Sequence, residues 1–424
     1  MLDIKLVREN PDIVKASELK RGKDSGNVDE VLKLDEKWKK ELKSLEELKH
    51  KRNVVSQEIN QAKKSGKNAA SKIKEMKSVA AEIKNKEEKV NGLLEKREKT
   101  LSMIGNVMHA KVPEGKDDSE NIELKEKGKK TEFKFKIKNH VELAEELDLA
   151  DFDTSGKTSG TGFYFLKNEL GLLNQALIRF ALDFMRSKNY EYIEPPLMVR
   201  KEILNAAIDT AEWSQTIYSV EGEDLALIGT SEHALLGLHA GDALQEQQLP
   251  KKYFSYSMCF RKEIGAHGIN EKGLWRTHQF NKVEQFIFCK PEDSEKLFEE
   301  LLNNSEEILQ ALKLPYRVLE ICAGDLSAWK HKSYDLEVWR PTIKSYGEVM
   351  SLSNCTDYQA RKLGIRVVNN DGSREVLHTL NNTALATSRI MVAILENFQT
   401  SKGTVKIPKI LWPYMNGITE LGKK

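Results

Sequence analysis

The feature that most limits how this chain can fold is a stretch from residue 30 to 102 that contains no proline and is rich in lysine and glutamate. Its apolar residues recur at intervals of three and four, which is the spacing of a coiled-coil seam. They form two runs, Val31, Leu34, Trp38, Leu42, Leu45, Val55 and Ile59, then Ile73, Met76, Ala80, Ile83, Val90, Leu94 and Leu101. The pattern predicts two long helices.

The segment between these runs, residues 63–68, contains a glycine and an asparagine and suits a tight turn. We therefore expect an antiparallel two-helix coiled-coil arm that projects roughly 45 Å, at about 1.5 Å per residue. Basic residues outnumber acidic ones near its tip. That excess suits a phosphate backbone, but it is also typical of a solvated coiled-coil surface. The candidate nucleic-acid contacts are Lys51, Arg52, Lys63, Lys64, Lys67 and Lys72.

The pattern changes after a polar connection around residues 113–118. Residues 172–185 have helical periodicity, whereas residues 253–257 and 286–289 have the character of strands. The sequence contains no repeated βαβ unit and no glycine-rich phosphate loop, so we predict an α+β fold with an antiparallel sheet flanked by helices. We place the N-terminal domain at residues 1–112, with its arm at about 30–102, and the second domain at residues 113–424.

Charge and cysteine content limit the kinds of ligand and the cellular compartment that suit this chain. The formal net charge is +2 although 31% of the 424 residues are charged, so a nucleic-acid contact requires a local patch. Cys259, Cys289, Cys322 and Cys355 are far apart and form no CxxC pair, which indicates a reducing compartment and predicts no structural zinc. No signal peptide and no run of about 18 apolar residues is present. We expect a cytoplasmic protein without a membrane segment.

Two pairs of residues have spacings that suit a ligand site. Arg261 and Glu263 are two apart, so on a strand they would share a face, where the guanidinium could hold a phosphate and the carboxylate could accept from an amine. Phe280 and Glu284 would also share a strand face and offer a ring for base stacking and a carboxylate for an ammonium group. Taken singly, such pairs are more often surface ion pairs and core aromatics.

Three further positions carry candidate chemistry. Arg389 precedes the apolar run 390–395, and burial there calls for an anionic partner, which could be a structural carboxylate or a ligand. Glu348 and Ser351 offer hard oxygen ligands for Mg²⁺. The segment 230–232, Thr-Ser-Glu, could present a hydroxyl and a carboxylate at the end of a strand, or serve as a turn or helix cap.

Together and in this order, these segments resemble the seryl-tRNA synthetases, a family of class II aminoacyl-tRNA synthetases. Their sequences are most similar to those of the archaeal and eukaryotic branch. Residues 259–263 (CFRKE), continued by 273–284, look like motif 2, and residues 380–399 look like motif 3. Residues 171–196 look like motif 1, which forms the dimer interface in the family. Residues 230–232 occupy the place of the serine-binding Thr-x-Glu segment.

The resemblance covers nearly the whole chain and implies ATP-dependent activation of L-serine, with Mg²⁺, and its transfer to the 3′ end of tRNA(Ser). Transfer to tRNA(Sec) is expected where that tRNA is present. In the family the helical arm grips the long variable arm of the tRNA, and the enzyme is a homodimer.

The resemblance also assigns roles to single residues. Arg261 and Arg389 would be the catalytic residues, on the α- and γ-phosphates of ATP. The implied ATP site comprises Arg261, Lys262, Glu263, Thr277, Phe280, Glu348, Val349, Met350, Ser351 and Arg389, with Glu348 and Ser351 on Mg²⁺. The implied serine site comprises Thr230, Ser231, Glu232, Glu284 and Thr383.

The sequence departs from the family pattern at Ala384, Ala386 and Ser388, where class II motif 3 commonly has glycine, and at Ala234, where a proline is expected. Two other functions are compatible with a fold of this kind. A relative that loads an amino acid onto a carrier protein would lack the helical arm, and this chain has one. A non-catalytic paralogue would have lost Arg261, Glu263, Glu348 or Arg389, and all four are present.

Overall fold

The structure is a computed structural model that describes residues 1–66, 68–208, 216–264 and 272–422. Lys67, one of the predicted arm contacts, lies outside the described residues. The chain divides into two compact units, Met1–Val107 and Met108–Lys424.

The N-terminal unit is helical and contains the predicted arm. Its helices are α1 (Ile4–Glu9), α2 (Pro11–Lys20), α3 (Gly26–Lys64) and α4 (Ala70–Leu101). The 39 residues of α3 correspond to about 58 Å of helix. Ion pairs between α3 and α4, such as Glu41 with Lys86 at 2.6 Å and Glu58 with Lys72 at 2.7 Å, place the two helices antiparallel, as predicted.

The seam of the arm follows the predicted heptads except at two positions, Ile73 and Ala80. Ala80 is exposed, and its neighbour Val79 is buried in its place. Leu45 packs with Val79, Ile83 and Val90, and closer to the turn Val55 and Ile59 pack with Ala69. The prediction that Ile73 belongs to this seam is wrong, because its side chain is exposed. Ala69 and the half-buried Met76 occupy the seam there instead, seven residues apart and in phase with Ile83 and Val90.

A buried charge cluster fixes the base of the arm. Asp35 on α3 is 2% exposed and accepts hydrogen bonds from Arg8 of α1 at 2.7 Å and from Arg97 of α4 at 2.8 Å. Burial raises the pKa of Asp35, but the hydrogen bonds from Arg8, Lys39 and Arg97 outweigh burial and bring the pKa to about 2. The carboxylate therefore ties three helices together.

The C-terminal unit combines helices with a large sheet. Its helices are α5 (His140–Glu146), α6 (Phe152–Thr158), α7 (Asn168–Ser187), α8 (Lys201–Ala207), α9 (Ser231–Gly237), α10 (Ser294–Ala311), α11 (Tyr358–Lys362) and α12 (Thr387–Asn397). Its strands are β1 (Ile122–Lys127), β2 (Ala150–Asp151), β3 (Phe165–Leu166), β4 (Glu191–Tyr192), β5 (Met198–Arg200), β6 (Leu225–Leu227), β7 (Ala243–Gln245), β8 (Lys251–Phe260), β9 (Gln279–Cys289), β10 (Tyr316–Glu320), β11 (Lys332–Arg340), β12 (Ser345–Asn354), β13 (Arg366–Val368), β14 (Arg374–Val376), β15 (His378–Ala386), β16 (Val405–Lys406) and β17 (Glu420–Leu421).

Eight of these strands form one sheet in the order β1-β10-β11-β12-β15-β9-β8-β4. All neighbours are antiparallel except β4 and β8, which run parallel at one edge. Helices α7, α10 and α12 pack their apolar faces on one side, against residues such as Ile287, Leu352 and Leu380. The predicted antiparallel sheet flanked by helices is thereby confirmed.

The opposite face of the sheet is covered only in part. Helices α8, α9 and α11 pack over one end of β8 and β9, around Phe286 and Phe288. Farther along, β9, β11, β12 and β15 present polar side chains instead of apolar ones, and these strands form the floor of a cavity. The fold therefore places a polar site on a rigid central sheet.

None of the helices in the described part of the chain is both long and apolar enough to cross a membrane. The four cysteines are buried and none is joined in a disulfide.

Candidate active site

The cavity on the open face of the sheet has a volume of about 340 Å³ and a strongly charged lining. Five cationic side chains and six carboxylates line it. The cations are Arg261, Arg276, Lys282, Lys330 and Arg389, and the carboxylates are Glu232, Glu263, Glu284, Asp325, Asp335 and Glu348. Such a mixed lining suits a ligand that carries both phosphates and an ammonium group.

The two-residue period of β9 builds the centre of the floor. Phe280, Lys282 and Glu284 line the cavity, whereas Val283 between them belongs to the apolar core on the other side. Glu284 lies directly opposite Thr383 of β15 in the strand register, so this carboxylate and this hydroxyl face the same space. The predicted pairing of Phe280 with Glu284 on one strand face is present in the structure.

A bulge in β12 brings together two residues that a regular strand would separate. Glu348 pairs with Glu337 and Met350 pairs with Leu336, so Val349 is an extra residue in the ladder. Glu348 and Ser351 are three apart and would otherwise face opposite sides of the sheet. With the bulge, both line the cavity while Met350 and Leu352 enter the core.

The prediction that Arg261 and Glu263 lie on a strand is wrong. Strand β8 ends at Phe260, which pairs with Gln279 at the start of β9, and beyond it the Arg261 amide still donates to the His278 carbonyl at 2.9 Å before the chain leaves the sheet. Glu263 has a left-handed backbone with φ of 51°. Both side chains still line the cavity, because the loop curves over its rim.

One end of the cavity combines arginines with aromatic rings. The guanidinium of Arg261 lies 5.3 Å from the ring centre of Phe280, and its Nε donates to the carbonyl of Gly229 at 3.1 Å. Glu263 pairs with Arg276 at 3.3 Å. Arg389 reaches Glu348, donating to its carbonyl at 2.7 Å and pairing with its carboxylate at 3.1 Å.

The other end is built around Glu232. Thr230 caps helix α9 by accepting from the Glu232 amide at 3.3 Å, so the segment 230–232 starts a helix and does not end a strand. Gln359 and Asn381 donate to Glu232 Oε1 at 2.8 and 3.1 Å. Burial raises the pKa of Glu232 and the charge of nearby Glu284 raises it further, to about 7.

Lys282 neutralises the second carboxylate at this end. Its Nζ lies 2.5 Å from Glu284 Oε2, and the two side chains are 7% and 2% exposed. A buried carboxylate without a partner would be costly, and Lys282 supplies the opposite charge beside Glu284. Lys282 was not predicted as a site residue.

The donor set on β11 and β12 suits a magnesium ion bound together with phosphates. Glu348 and Ser351 face the cavity, and the neighbouring Asp335 has a buried Oδ1 without a hydrogen-bond partner. Burial and the charge of Glu348 raise the pKa of Asp335. Burial also acts to raise the pKa of Glu348, but Arg389 together with Arg261 and Lys330 outweighs it and lowers that pKa. No group of three or more His, Cys, Asp or Glu side chains among the described residues could hold a metal. Mg²⁺ commonly keeps several water molecules and takes only one or two carboxylates together with substrate phosphates.

Most of the predicted site residues line this one cavity, and three do not. Lys262 lies outside with its ammonium 5.9 Å from the ring centre of Tyr218, and Met350 is in the core. Ser231 is fully buried, and its hydroxyl has no hydrogen-bond partner in the described structure. Lining residues that were not predicted include Trp275, Arg276, Lys282, Lys330, Asp335 and Asn381.

Two families match the chain. Residues 1–108 match the seryl-tRNA synthetase N-terminal domain, and residues 216–398 match the tRNA synthetase class II core domain (G, H, P, S and T). The two matches fall in the two compact units of the structure.

Full-length relatives agree with these matches. The serine--tRNA ligase of Methanocella arvoryzae is 44% identical over 99% of this chain and 100% of its own length. The crystal structure of seryl-tRNA synthetase from Pyrococcus horikoshii complexed with ATP has a TM-score of 0.94 and 42% identity, covering 99% of both chains. The cytoplasmic serine-tRNA ligase of Naegleria fowleri in complex with AMP has a TM-score of 0.89 and 33% identity, covering 99% of this chain and 98% of the other.

Proposed function

Because the chain belongs to the seryl-tRNA synthetases, we propose how its own residues perform the reaction of that family. The enzyme activates L-serine with ATP and then charges tRNA with the seryl group. In the first step a serine carboxylate oxygen attacks the α-phosphorus of ATP, and pyrophosphate leaves. In the second step the terminal ribose hydroxyl of the tRNA attacks the carbonyl carbon of seryl-adenylate, and AMP leaves.

The observation that carries the assignment of residues is that Arg261, Phe280, Glu284, Glu348 and Arg389 line one cavity on one sheet face. Phe280 stacks on the adenine and Glu263 accepts from its amino group. Arg261 binds the α-phosphate and Arg389 the γ-phosphate. Catalysis then comes from fixed cations that stabilise the charge developing on the phosphates and hold the reacting groups in place.

Glu348 and Ser351 would hold Mg²⁺ together with the triphosphate, and the bulge at Val349, which turns both side chains to the cavity, supports this pairing. Bound Mg²⁺ neutralises phosphate charge. The buried, unpartnered oxygen of Asp335 lies next to this pair and fits as a further acceptor for a water molecule or the ion.

The serine site lies at the carboxylate end of the cavity. Glu232 and Glu284 bind the ammonium and hydroxyl groups of serine, with Thr230 and Thr383 beside them. Thr230, Glu284 and Thr383 are buried and Glu232 is half-buried, so alanine would lose the hydrogen bonds that the serine hydroxyl makes there and water could not easily replace them. A site of this kind can reject the smaller amino acid by as much as about 10⁴-fold.

We assign no general base. His233 lies beside Arg261, but burial and the arginine charge lower its pKa to about 3. Its Nδ1 accepts from the Gly229 amide at 3.4 Å, which is a structural role. The attacking serine carboxylate is already ionised and does not require a base.

The N-terminal domain, which we place at residues 1–112, binds the tRNA through its arm, and the catalytic domain comprises residues 113–424. Of the predicted contacts, Lys51 and Lys72 form ion pairs with Glu75 and Glu58. Arg52, Lys63 and Lys64 are exposed. The four free thiols suit a reducing compartment, so we place the enzyme in the cytoplasm.

The test is ATP–pyrophosphate exchange without tRNA, with serine compared with threonine, alanine and glycine in the presence of Mg²⁺. We expect exchange with serine alone. Exchange that is equally fast with alanine would remove Glu284 and Thr383 from hydroxyl recognition. A folded protein that supports no exchange with any amino acid would be a non-catalytic paralogue.

A further inference from the structure

Trp275 lines the cavity and lies next to two arginines. The guanidinium carbon of Arg340 is 4.2 Å from the indole centre, and that of Arg389 is 5.4 Å from it. Both distances are within the range of cation–π attraction, which is strongest on tryptophan. Arg389 is the proposed ligand of the γ-phosphate, whereas Arg340 does not line the cavity.

Arg340 is held in place by a buried carboxylate. Glu396 on α12 is fully buried and accepts from Arg340 through both oxygens, at 2.9 and 3.2 Å. Thr342 donates to the same carboxylate at 2.7 Å. Burial raises the pKa of Glu396, but hydrogen bonds from His140 and Arg340 outweigh burial and bring the pKa to about 2. The guanidinium over the indole therefore has a fixed position.

The same carboxylate also fixes the backbone beside the indole. His140 Nδ1 lies 3.1 Å from Glu396 Oε1, and its Nε2 accepts the Leu274 amide at 3.2 Å. Leu274 immediately precedes Trp275. Glu396 thus positions Trp275 in two ways. It holds Arg340 against the indole ring, and it holds His140, which binds the backbone next to Trp275.

The packing around the ring leaves it little room to move. A Cβ atom at Gly347 would lie 2.4 Å from Trp275 Cζ2 and 3.3 Å from Arg340 Cδ. The indole edge therefore occupies the space that any other residue at position 347 would fill. Real Cβ atoms do not approach other atoms so closely, so glycine is required here for the ring to lie where it does.

We propose that Trp275, backed by Arg340 and Glu396, is a positioning residue that holds Arg389 for the terminal phosphate of ATP. This inference rests on the proposed role of Arg389. The other support of Arg389 in the structure is Glu348, whose carboxylate is also the proposed Mg²⁺ ligand. When that carboxylate serves the metal, the indole and the Glu348 carbonyl remain to orient the guanidinium.

The test compares the affinities of ATP and AMP, because AMP lacks the phosphate that Arg389 is proposed to bind. Trp275→Ala should weaken ATP binding about tenfold while changing AMP binding less than about twofold. Trp275→Phe, which keeps an aromatic face, should restore ATP binding to within about threefold. Trp412→Ala, at a half-exposed tryptophan that does not line the cavity, is the matched control and should change neither affinity.

Arg389→Ala separates this inference from the proposed function. If that variant binds ATP and AMP with wild-type affinities, Arg389 does not hold the γ-phosphate and the proposed function fails at that residue. If it loses ATP affinity selectively, Trp275→Ala in the same background should add no further loss. Equal weakening of ATP and AMP by Trp275→Ala, or no weakening of either, would show that the indole is only part of the wall.

Discussion

Glu232 is a residue whose charge changes near neutral pH. Burial and the charge of Glu284 raise its pKa to about 7, so in the free enzyme it is largely neutral at pH 6 and largely ionised at pH 8. The serine ammonium group needs the ionised form. We therefore expect the dissociation constant of serine, measured by calorimetry, to fall severalfold between pH 6 and 8.

The control for this prediction is Glu232→Gln, which cannot ionise. Its serine affinity should be low and independent of pH, and should match that of the wild type near pH 5.5.

The Glu232→Gln variant should also change the stability of the fold. An acid whose folded-state pKa is raised costs stability as pH rises from the unfolded value of about 4.5 to 7. The melting temperature of the variant relative to the wild type should therefore increase over that range. If the serine affinity of the wild type did not change with pH, Glu232 would not bind the ammonium group.

Single residues of the site can be predicted where the two-residue alternation of a strand places them on one face. Phe280 and Glu284 share a strand face, and the same reasoning selects Lys282 between them. Lys282 was missed because a lysine in an alternating pattern is usually solvated, and nothing in the sequence indicated that its partner Glu284 would be buried. Asp335 and Trp275 were missed because their neighbours come from distant segments of the chain.

At the scale of elements, irregular geometry was the hardest feature to predict. The bulge that aligns Glu348 with Ser351 adds one residue, Val349, to a ladder with β11, and a run of strand residues does not indicate where such an insertion falls. The spacing of Arg261 and Glu263 predicts a strand, whereas both residues lie in the loop after β8. The apolar run into Phe260 is strand-like, but the ladder ends where β9 begins.

The arm can be tested as an element by its lysines and arginine. Arg52, Lys63 and Lys64 form no ion pair with any residue in the described ranges, whereas Lys51 and Lys72 do. Replacing the first three by glutamine should weaken tRNA binding about tenfold and reduce the slope of log affinity against log salt by about 2, since each phosphate contact contributes roughly 0.7–0.9. Filter binding over a salt series measures both.

Lys51→Gln with Lys72→Gln is the matched control for the arm. These ammonium groups already have carboxylate partners, so their loss should change the salt slope less. Serine-dependent pyrophosphate exchange should be unchanged in both variants, because the cavity lies in the other unit. If the two variants weakened tRNA binding equally, position along the arm and not freedom from ion pairs would decide the contact.

For the whole molecule, local patterns predicted the helical arm and the class of the sheet but not the strand order. Heptad spacing is local, so residues 30–102 could be assigned to an arm. Several neighbours in the eight-stranded sheet are distant in sequence, as with β1 beside β10 and β15 beside β9. The parallel edge strand β4 is only two residues long and had no signal of its own.

That edge supports a prediction about assembly. Tyr192 on β4, Met198 on β5 and Leu172 on α7 are large apolar residues with 41%, 47% and 48% of their surface exposed. They fall in or beside the segment that resembles motif 1, and exposed apolar side chains of this kind are typical of a protein interface. We expect sedimentation equilibrium to give twice the 48.3 kDa of the chain.

Charged substitutions should show which edge of the sheet forms the interface. Tyr192→Glu with Met198→Glu should give a monomer, because each carboxylate would be buried without a partner in the interface. Ile122→Glu, at a residue with a similarly exposed side chain on β1 at the other edge, should remain a dimer. Strand β4 pairs with β8, and β8 leads directly into Arg261, so the monomer should also lose serine-dependent exchange severalfold while its circular dichroism is unchanged. A dimeric Tyr192→Glu, Met198→Glu protein, or a monomeric Ile122→Glu protein, would place the interface elsewhere.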